Sequence, residues 1–243
     1  MAWYDEFFDE DYLLTYQTPE EVTKEQVDFI EAVLNLPIGA KILDLACGFG
    51  RQIVPMAKKG YEMTGLDYTP MFIELAQKKA EEENLKIDFI VGDMRKIPFE
   101  NYFDGIYNYF TSFGFFSDKE NFETLKQVSK ALKPQGKFLL ETLNRESLIK
   151  NFHKTAWYKV GENVFILSEN ELNLLSGRLK VNRIILDEKG KREKYFDIRI
   201  YSLPELSSLL DKVGLKIIET YGKRDKTLYS LDSPRMAVIS QKI

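Results

Sequence analysis

From Lys41 to Leu143 the chain alternates short apolar runs with longer amphipathic stretches, and that rhythm restricts the fold more than any other feature. The runs Lys41–Leu45, Tyr61–Leu66, Ile87–Val91, Phe103–Tyr109 and Gly136–Leu143 predict strands. The stretches Gln52–Lys59, Pro70–Glu83 and Asp118–Leu132 predict helices. Ser117-x-x-Glu120 supplies a capping box to the last of these, Gly60 stops the first, and Lys133-Pro134-Gln135-Gly136 stops the third. Each strand must return to the same end of the sheet through a helix, so the strands lie parallel and both faces are covered. The expected fold class is α/β, a doubly wound and mostly parallel sheet, with ligands beyond the carboxyl ends of its strands.

Two segments flank that core. Trp3 to Tyr16 mixes aromatics with acids and is expected to lie over something apolar. Thr18-Pro19-Glu20-Glu21 reads as an N-cap, a proline at the first helical position and a capping-box acid, opening a helix to about Leu36. Residues 1–36 are therefore expected to form a helical cover. After Asn144 the rhythm breaks into strands at Val164–Glu169, Arg178–Leu186 and Lys194–Tyr201, with turns at Ser176-Gly177 and Glu188-Lys189-Gly190. We expect an inserted antiparallel sheet over 153–201, acting as a substrate lid. A helix from Ser202 to Val213, a strand Leu215–Tyr221 and a last strand Met236–Ser240 then complete the domain. A chain of 243 residues suits one domain, 1–243, with one such elaboration.

The chemistry concentrates where the first strand meets its helix, in Ile42-Leu43-Asp44-Leu45-Ala46-Cys47-Gly48-Phe49-Gly50-Arg51. Small residues at 46, 48 and 50 allow a sharp turn and close approach of a ligand to the backbone, and the open amides of the helix start suit an anionic group. A dinucleotide fingerprint would place its third glycine at position 53, which is Ile53, and its acid after the turn. Here Asp44 precedes the turn, where a carboxylate suits the ammonium of an amino-acid tail. The second strand ends Gly65-Leu66-Asp67-Tyr68, an acid placed for both hydroxyls of a ribose beside a ring for an adenine face. The third ends Val91-Gly92-Asp93-Met94, an acceptor for an adenine amino group beside a flexible apolar side chain. Acids thus recur at three successive strand ends.

With these residues the chain resembles the class I S-adenosylmethionine-dependent methyltransferases, from about Lys41 to Leu143 and again in the last helix and strands. Its turn has the family layout D-x-G-x-G-x-G with Ala46 in the first small position. The resemblance implies a seven-stranded Rossmann-like sheet whose last strand is antiparallel, S-adenosylmethionine as cofactor and S-adenosylhomocysteine as product. It places Gly48 and Gly50 beside the methionine part, Asp67 on the ribose, and Asp93 with Met94 on the adenine. Gly92 and Tyr68 belong to the same strand ends, and Cys47 contributes a backbone contact without thiol chemistry. Tyr16 either touches the cofactor carboxylate or packs on the first helix. Asn108 and Phe110, at the end of the fourth strand, complete the expected cofactor contacts. The run Asn108 to Phe116 and the inserted sheet look like a branch of small, mostly uncharacterised methyltransferases.

Methyl transfer from a sulfonium is an in-line displacement that needs alignment and exclusion of water rather than a protein nucleophile. A base is required only for an acceptor that stays protonated, so no catalytic residue is assigned. Asn108-Tyr109-Phe110-Thr111 lacks the [DN]-P-P-[YF] motif of enzymes that methylate planar amino groups. Phe110, Phe113, Phe115 and Phe116 with Trp3 and Tyr4 suggest a closed apolar pocket for a small-molecule methyl acceptor, although each phenylalanine fits a core equally well. Further candidates at the acceptor are His153 as a base or an exposed loop residue, Trp157, and Arg199 with Tyr201, which otherwise form a solvated strand face. The other readings are an RNA or protein acceptor, or a non-catalytic module holding an adenosine ligand.

The 34 basic and 38 acidic residues leave a net charge of −4, with no overall positive field for a nucleic acid. No stretch reaches the roughly 20 apolar residues that span a bilayer. The acidic start has no basic-then-apolar leader. Cys47 is the single cysteine and cannot form an internal disulfide, so a cytoplasmic location is expected. Neither paired histidines nor clustered thiolates occur, and no metal is expected.

Overall fold

The computed structural model describes residues 2–243. Its elements run α1 Tyr4–Phe7, α2 Glu10–Thr15, α3 Glu20–Leu34, β1 Lys41–Leu45, α4 Ile53–Lys58, β2 Glu62–Asp67, α5 Pro70–Glu82, β3 Asp88–Val91 and β4 Phe103–Asn108. They continue α6 Asp118–Ala131, β5 Leu132–Leu143, α7 Arg145–Lys150, β6 Thr155–Val160, β7 Val164–Asn173, β8 Arg178–Asp187, β9 Gly190–Arg199, α8 Leu203–Asp211, β10 Leu215–Tyr221 and β11 Arg235–Lys242. Seven strands form one sheet in the order β10-β11-β5-β4-β1-β2-β3. All run parallel except β11, which is antiparallel to both neighbours. The fold is the doubly wound α/β class that the strand and helix rhythm predicts, and β6-β7-β8-β9 form a separate antiparallel sheet.

Alternation along the strands sorts the core into two layers. Leu43 and Leu45 of β1, with Phe138 and Leu140 of β5, pack against Leu125 and Val128 of α6 and Leu206 and Leu210 of α8. Ile42 and Leu139, one residue out of phase, face the other way onto Val27, Ile30 and Leu34 of α3 and Ile53 and Met56 of α4. The register β1 to β4 and β1 to β2 then brings Asp44 opposite Tyr107 and Gly65. The carboxyl ends of β1, β2 and β3 meet along one edge.

Several expected boundaries move. Helix α3 starts at Glu20 with Pro19, in extended conformation, as its N-cap and no side-chain cap, so Thr18 is not the cap. The capping boxes at Ser117/Glu120 and Ser202/Glu205 are both formed. Strand β5 begins at Leu132 rather than Gly136, because Leu132 already pairs with Phe103 across an irregular register. Two elements escaped the sequence reading. Helix α7 is short and capped by Asn144, whose side chain accepts from the backbone of Glu146 and Ser147. Strand β6 is exposed along almost its whole length, so it lacks the alternating burial that marks a strand.

The four-stranded sheet closes over the amino-terminal helices. Phe196 of β9 meets Phe7 of α1 with ring centroids 5.2 Å apart. Arg192 binds Asp11 at 2.8 Å. The loop after β4 joins β9 through the Arg199 N–H, which donates to the Gly114 carbonyl at 2.8 Å. Among the described residues no helix is long and apolar enough to cross a membrane.

Candidate active site

The turn from β1 into α4 is built on left-handed backbone, with φ of 66° at Ala46, 52° at Gly48 and 85° at Gly50. The Ala46 and Cys47 N–H groups donate to the Leu66 carbonyl at 2.8 and 3.1 Å, fastening the turn to the end of β2. A Cβ on Gly50 would press on the Ala76 Cβ at 3.0 Å, whereas one on Gly48 would meet no protein atom within 4 Å. Glycine at 50 thus serves helix packing. At 48 it keeps open a cradle that faces the cavity.

Asp67 closes the same corner. Its Oδ2 accepts from the Gly48 N–H at 2.8 Å and its Oδ1 from the Thr69 N–H at 2.9 Å. A carboxylate has about four acceptor positions, so roughly two remain for a pair of hydroxyls. Burial pushes the Asp67 carboxyl above its usual range, against the lowering effect of these backbone donors.

Above this corner lies a cavity. Ala46 to Phe49, Asp67, Tyr68 and Gly92 to Met94 line it on the sheet side, Tyr4, Phe8 and Tyr12 on the amino-terminal side, and Phe110, Phe115 and Phe116 beyond β4. The covering rings interlock edge to face. Tyr4 meets Tyr68 at 5.6 Å and Phe116 at 5.4 Å between centroids. Arg51 lines the same cavity, and its Nη1 reaches only neutral partners, Gln26 Oε1 at 2.6 Å and Thr23 Oγ1 at 3.3 Å. Burial pulls the Arg51 guanidinium below its ordinary range. The cavity therefore offers an uncompensated cation near the glycine turn, a carboxylate with free lone pairs at its centre, and an apolar slot beside Tyr68 and Met94. That sequence of groups fits an amino-acid carboxylate, a ribose and a flat base in one molecule.

The comparisons with known proteins agree with this geometry. Residues 42–136 match a family model described as a methyltransferase domain. The putative methyltransferase YqeM of Bacillus subtilis is 35% identical over 133 residues, which cover 54% of this chain and 51% of that protein. The similarity to methyltransferases thus covers residues 42–136 in the family model and about half of the chain in the relative. The chain spans about half the length of YqeM. The fold is shared over nearly the whole chain with the CcbJ methyltransferase of Streptomyces caelestis, at 18% identity, TM-score 0.85 and coverage of 99% and 98%. CalS10 of Micromonospora echinaspora, described as an amino pentose methyltransferase bound to S-adenosylmethionine, follows at 19% identity, TM-score 0.71 and coverage of 96% and 95%.

In this chain Ala46, Cys47, Gly48, Asp67, Tyr68, Gly92, Asp93, Met94 and Phe110 come together around the cavity, and Gly50 lies just behind it. Asp93 is more occupied than its sequence position suggests. Arg95 grips both its oxygens, with Nε at 3.0 Å from each and Nη2 at 2.6 Å from Oδ2, and the Arg95 N–H adds a fourth contact at Oδ1, so its acceptor positions are filled. Asp44 departs from expectation. It lies beneath the turn, 3% exposed, and accepts from the Tyr107 hydroxyl at 2.8 Å. Burial, reinforced by the nearby Asp67 charge, pushes its carboxyl up to about 8, so it is not a ready counter-charge for an ammonium. Asn108 is likewise below the cavity, donating from Nδ2 to the Leu45 carbonyl at 2.8 Å. Tyr16 stacks on Tyr12 at 4.3 Å and accepts from Arg183, one ring removed from the cavity wall.

The expected acceptor contacts fare differently. Phe113 is 2% exposed in the core between the sheet and α6, 5.5 Å from the Tyr201 ring. Tyr201 is buried too, donating to Asp118 at 2.6 Å and accepting from Asn121 at 3.1 Å. Arg199 is tied to Glu205 at 2.5 Å and to the Ile200 carbonyl at 2.6 Å. These three residues fasten the end of β9 to α6 and α8, because the chain leaves the inserted sheet there and must rejoin the core. His153 is exposed in the loop before β6, its carbonyl accepting from Asn170 at 2.9 Å. Trp157, also exposed, lines a second cleft between α1 and the inserted sheet.

Sequence reasoning missed Arg51, Phe8 and Tyr12 as cavity residues. Arg51 sits directly after the last glycine of the turn, a position whose direction the turn geometry determines. The two rings had no signal beyond the aromatic character of the segment. Also unforeseen was a clamp behind Phe110. Phe110 and Thr111 are consecutive non-glycine residues with φ of 69° and 63°. Glu141 accepts from the Phe110 N–H at 2.8 Å and binds Arg235 through both oxygens, at 2.5 and 2.6 Å, while Arg235 also donates to Thr111 Oγ1. Strained backbone beside a cavity persists only where its surroundings hold it, and this ion pair supplies the hold.

Proposed function

We propose that this methyltransferase moves a methyl group from S-adenosylmethionine to a small-molecule acceptor by in-line displacement, in the cytoplasm. One observation carries the reading. A single roofed cavity holds Asp67 with two acceptor positions free and Arg51 with no carboxylate partner among the described residues. The cofactor supplies a methyl group already activated on a positively charged sulfur. The chain then has to bind, orient and keep water out.

In this reading Asp67 accepts the ribose hydroxyls, the backbone at Gly48 lies along the methionine part, and Arg51 receives its carboxylate. Tyr68 and Met94 border the adenine, and Asp93, held by Arg95, lies at its edge. Tyr4, Phe8 and Tyr12 form a cover that excludes water, and the sheet β6-β7-β8-β9 holds that cover down as a lid. Small acceptors are favoured because aromatic rings close the cavity on the side where an RNA or protein chain would need an open groove. CalS10 points the same way, since an amino pentose is a small molecule. Incubation with S-adenosylmethionine labelled on the methyl group and a cell extract tests the assignment. Label is expected in the small-molecule fraction; label confined to RNA or protein overturns it.

A further inference from the structure

The inner face of the inserted sheet carries three cations, Arg183 on β8 and Arg192 and Lys194 on β9, with Lys194 directly opposite Arg183. Two of them are matched by acids. Arg192 binds Asp11 at 2.8 Å and Asp187 at 2.7 Å, and Lys194 binds Asp9 and reaches Asp11 at 3.4 Å. Arg183 is different. It is 8% exposed, its one side-chain hydrogen bond among the described residues runs from Nη1 to the Tyr16 hydroxyl at 2.8 Å, and its Nε is buried without a partner.

The rings of Tyr16, Phe196 and Phe7 surround the Arg183 guanidinium at 5.2, 5.4 and 6.0 Å from their centroids, which offsets part of the desolvation. None of them accepts from the Nε–H. With Nη1 engaged and Nε sealed, Nη2 is the donor left within reach of the cleft, and a turn of the side chain that presents Nε beside it would give the edge that grips a carboxylate or phosphate through two parallel hydrogen bonds. An unpaired buried cation is costly to fold around, and a ligand that pairs it recovers that cost on binding.

Its position names the ligand. Arg183 lines the cleft between α1 and the inserted sheet, together with Trp3, Trp157 and Tyr195. The faces of α1 divide this cleft from the cofactor cavity, Trp3 and Phe7 turning to the cleft and Tyr4 and Phe8 to the cavity. Tyr16 bridges the two, bonded to Arg183 on one side and stacked on the cavity residue Tyr12 on the other. We propose that Arg183 anchors an anionic group, carboxylate or phosphate, at the far end of a methyl acceptor that reaches past α1 to the cofactor cavity, and that this cleft is the outer part of the acceptor subsite. The inference rests on the methyltransferase reading above.

Calorimetry on the full chain saturated with S-adenosylhomocysteine tests it, using phenyl phosphate, benzoate and the neutral benzyl alcohol as probes. The anions are expected to bind and the alcohol not, and the stronger of the two anions identifies phosphate or carboxylate as the anchor. Arg183→Gln is expected to weaken the anion at least about tenfold and Arg183→Lys less, with affinity for S-adenosylhomocysteine unchanged in both. Absence of anion binding, equal binding of the alcohol, or indifference to Arg183→Gln overturns the proposal. So does a loss of S-adenosylhomocysteine affinity in that variant, which assigns Arg183 to the cofactor instead. The comparison of anion with alcohol needs no variant, and it stands if the substitutions fail to fold. If S-adenosylhomocysteine itself does not bind, the cofactor reading fails; if it binds and the anions do not, only the role of Arg183 fails.

Discussion

The Tyr107 hydroxyl donates to Oδ2 of Asp44 at 2.8 Å, and both side chains are sealed beneath the glycine turn. Burial favours the neutral acid there, lifting its titration to about 8. In the unfolded chain the same group titrates near 4. The folded state therefore binds the extra proton between those limits, and stability contributed by the neutral acid is full below about pH 4 and lost as pH rises toward 8. Asp44→Asn mimics the protonated form. Its melting temperature is expected to exceed that of the native protein at pH 8 and to converge on it only as pH falls to about 4, with the native curve showing the steeper decline.

Arg51 is expected to read the amino-acid tail of the cofactor and nothing else. Arg51→Met should weaken S-adenosylhomocysteine by about 10- to 100-fold, the scale of a hydrogen bond to a charged group. 5′-Methylthioadenosine lacks the tail, and its affinity should not change. Equal losses for both ligands in calorimetry would remove Arg51 from this role.

The clamp behind Phe110 makes a prediction about stability. Glu141→Ala leaves Arg235 without its buried partner and is expected to destabilise by about 3 kcal/mol, less if water reaches the guanidinium. The double variant Glu141→Met with Arg235→Met removes both charges and should recover part of that loss. Denaturant unfolding of the native protein, Glu141→Met, Arg235→Met and the double variant decides whether the two residues couple; additive losses would show that they do not.

The roof over the cavity is expected to matter for water exclusion more than for cofactor affinity. Tyr4→Ala should lower kcat for methyl transfer by about tenfold while changing S-adenosylhomocysteine affinity much less. A variant with normal turnover would show that the ring is packing only.

These contrasts also show where the sequence was informative. The residues Ile42 to Arg51, and the acids at 67 and 93, announce themselves because a tight turn beside a ligand tolerates few residue types. The strands of the large sheet are legible for a related reason, since two covered faces demand continuous apolar runs. Strand β6 was hidden because nothing buries either of its faces. Arg199 and Tyr201 look like a functional strand face in sequence, yet they are buried by Glu205 at the start of the next helix and by Asp118 and Asn121 of α6, some eighty residues back along the chain. Asp44 shows the same limit at shorter range: the motif places the acid, but only the register opposite Tyr107 determines that it is sealed and neutral.

Titration calorimetry of S-adenosylhomocysteine against the native protein and Asp67→Ala tests the central claim most directly. The native protein is expected to bind one equivalent, and the variant to bind about a hundredfold more weakly, because a ribose then loses two acceptors at once. No heat with the native protein, or the same affinity in both, would contradict the assignment of this cavity to a sulfonium nucleoside.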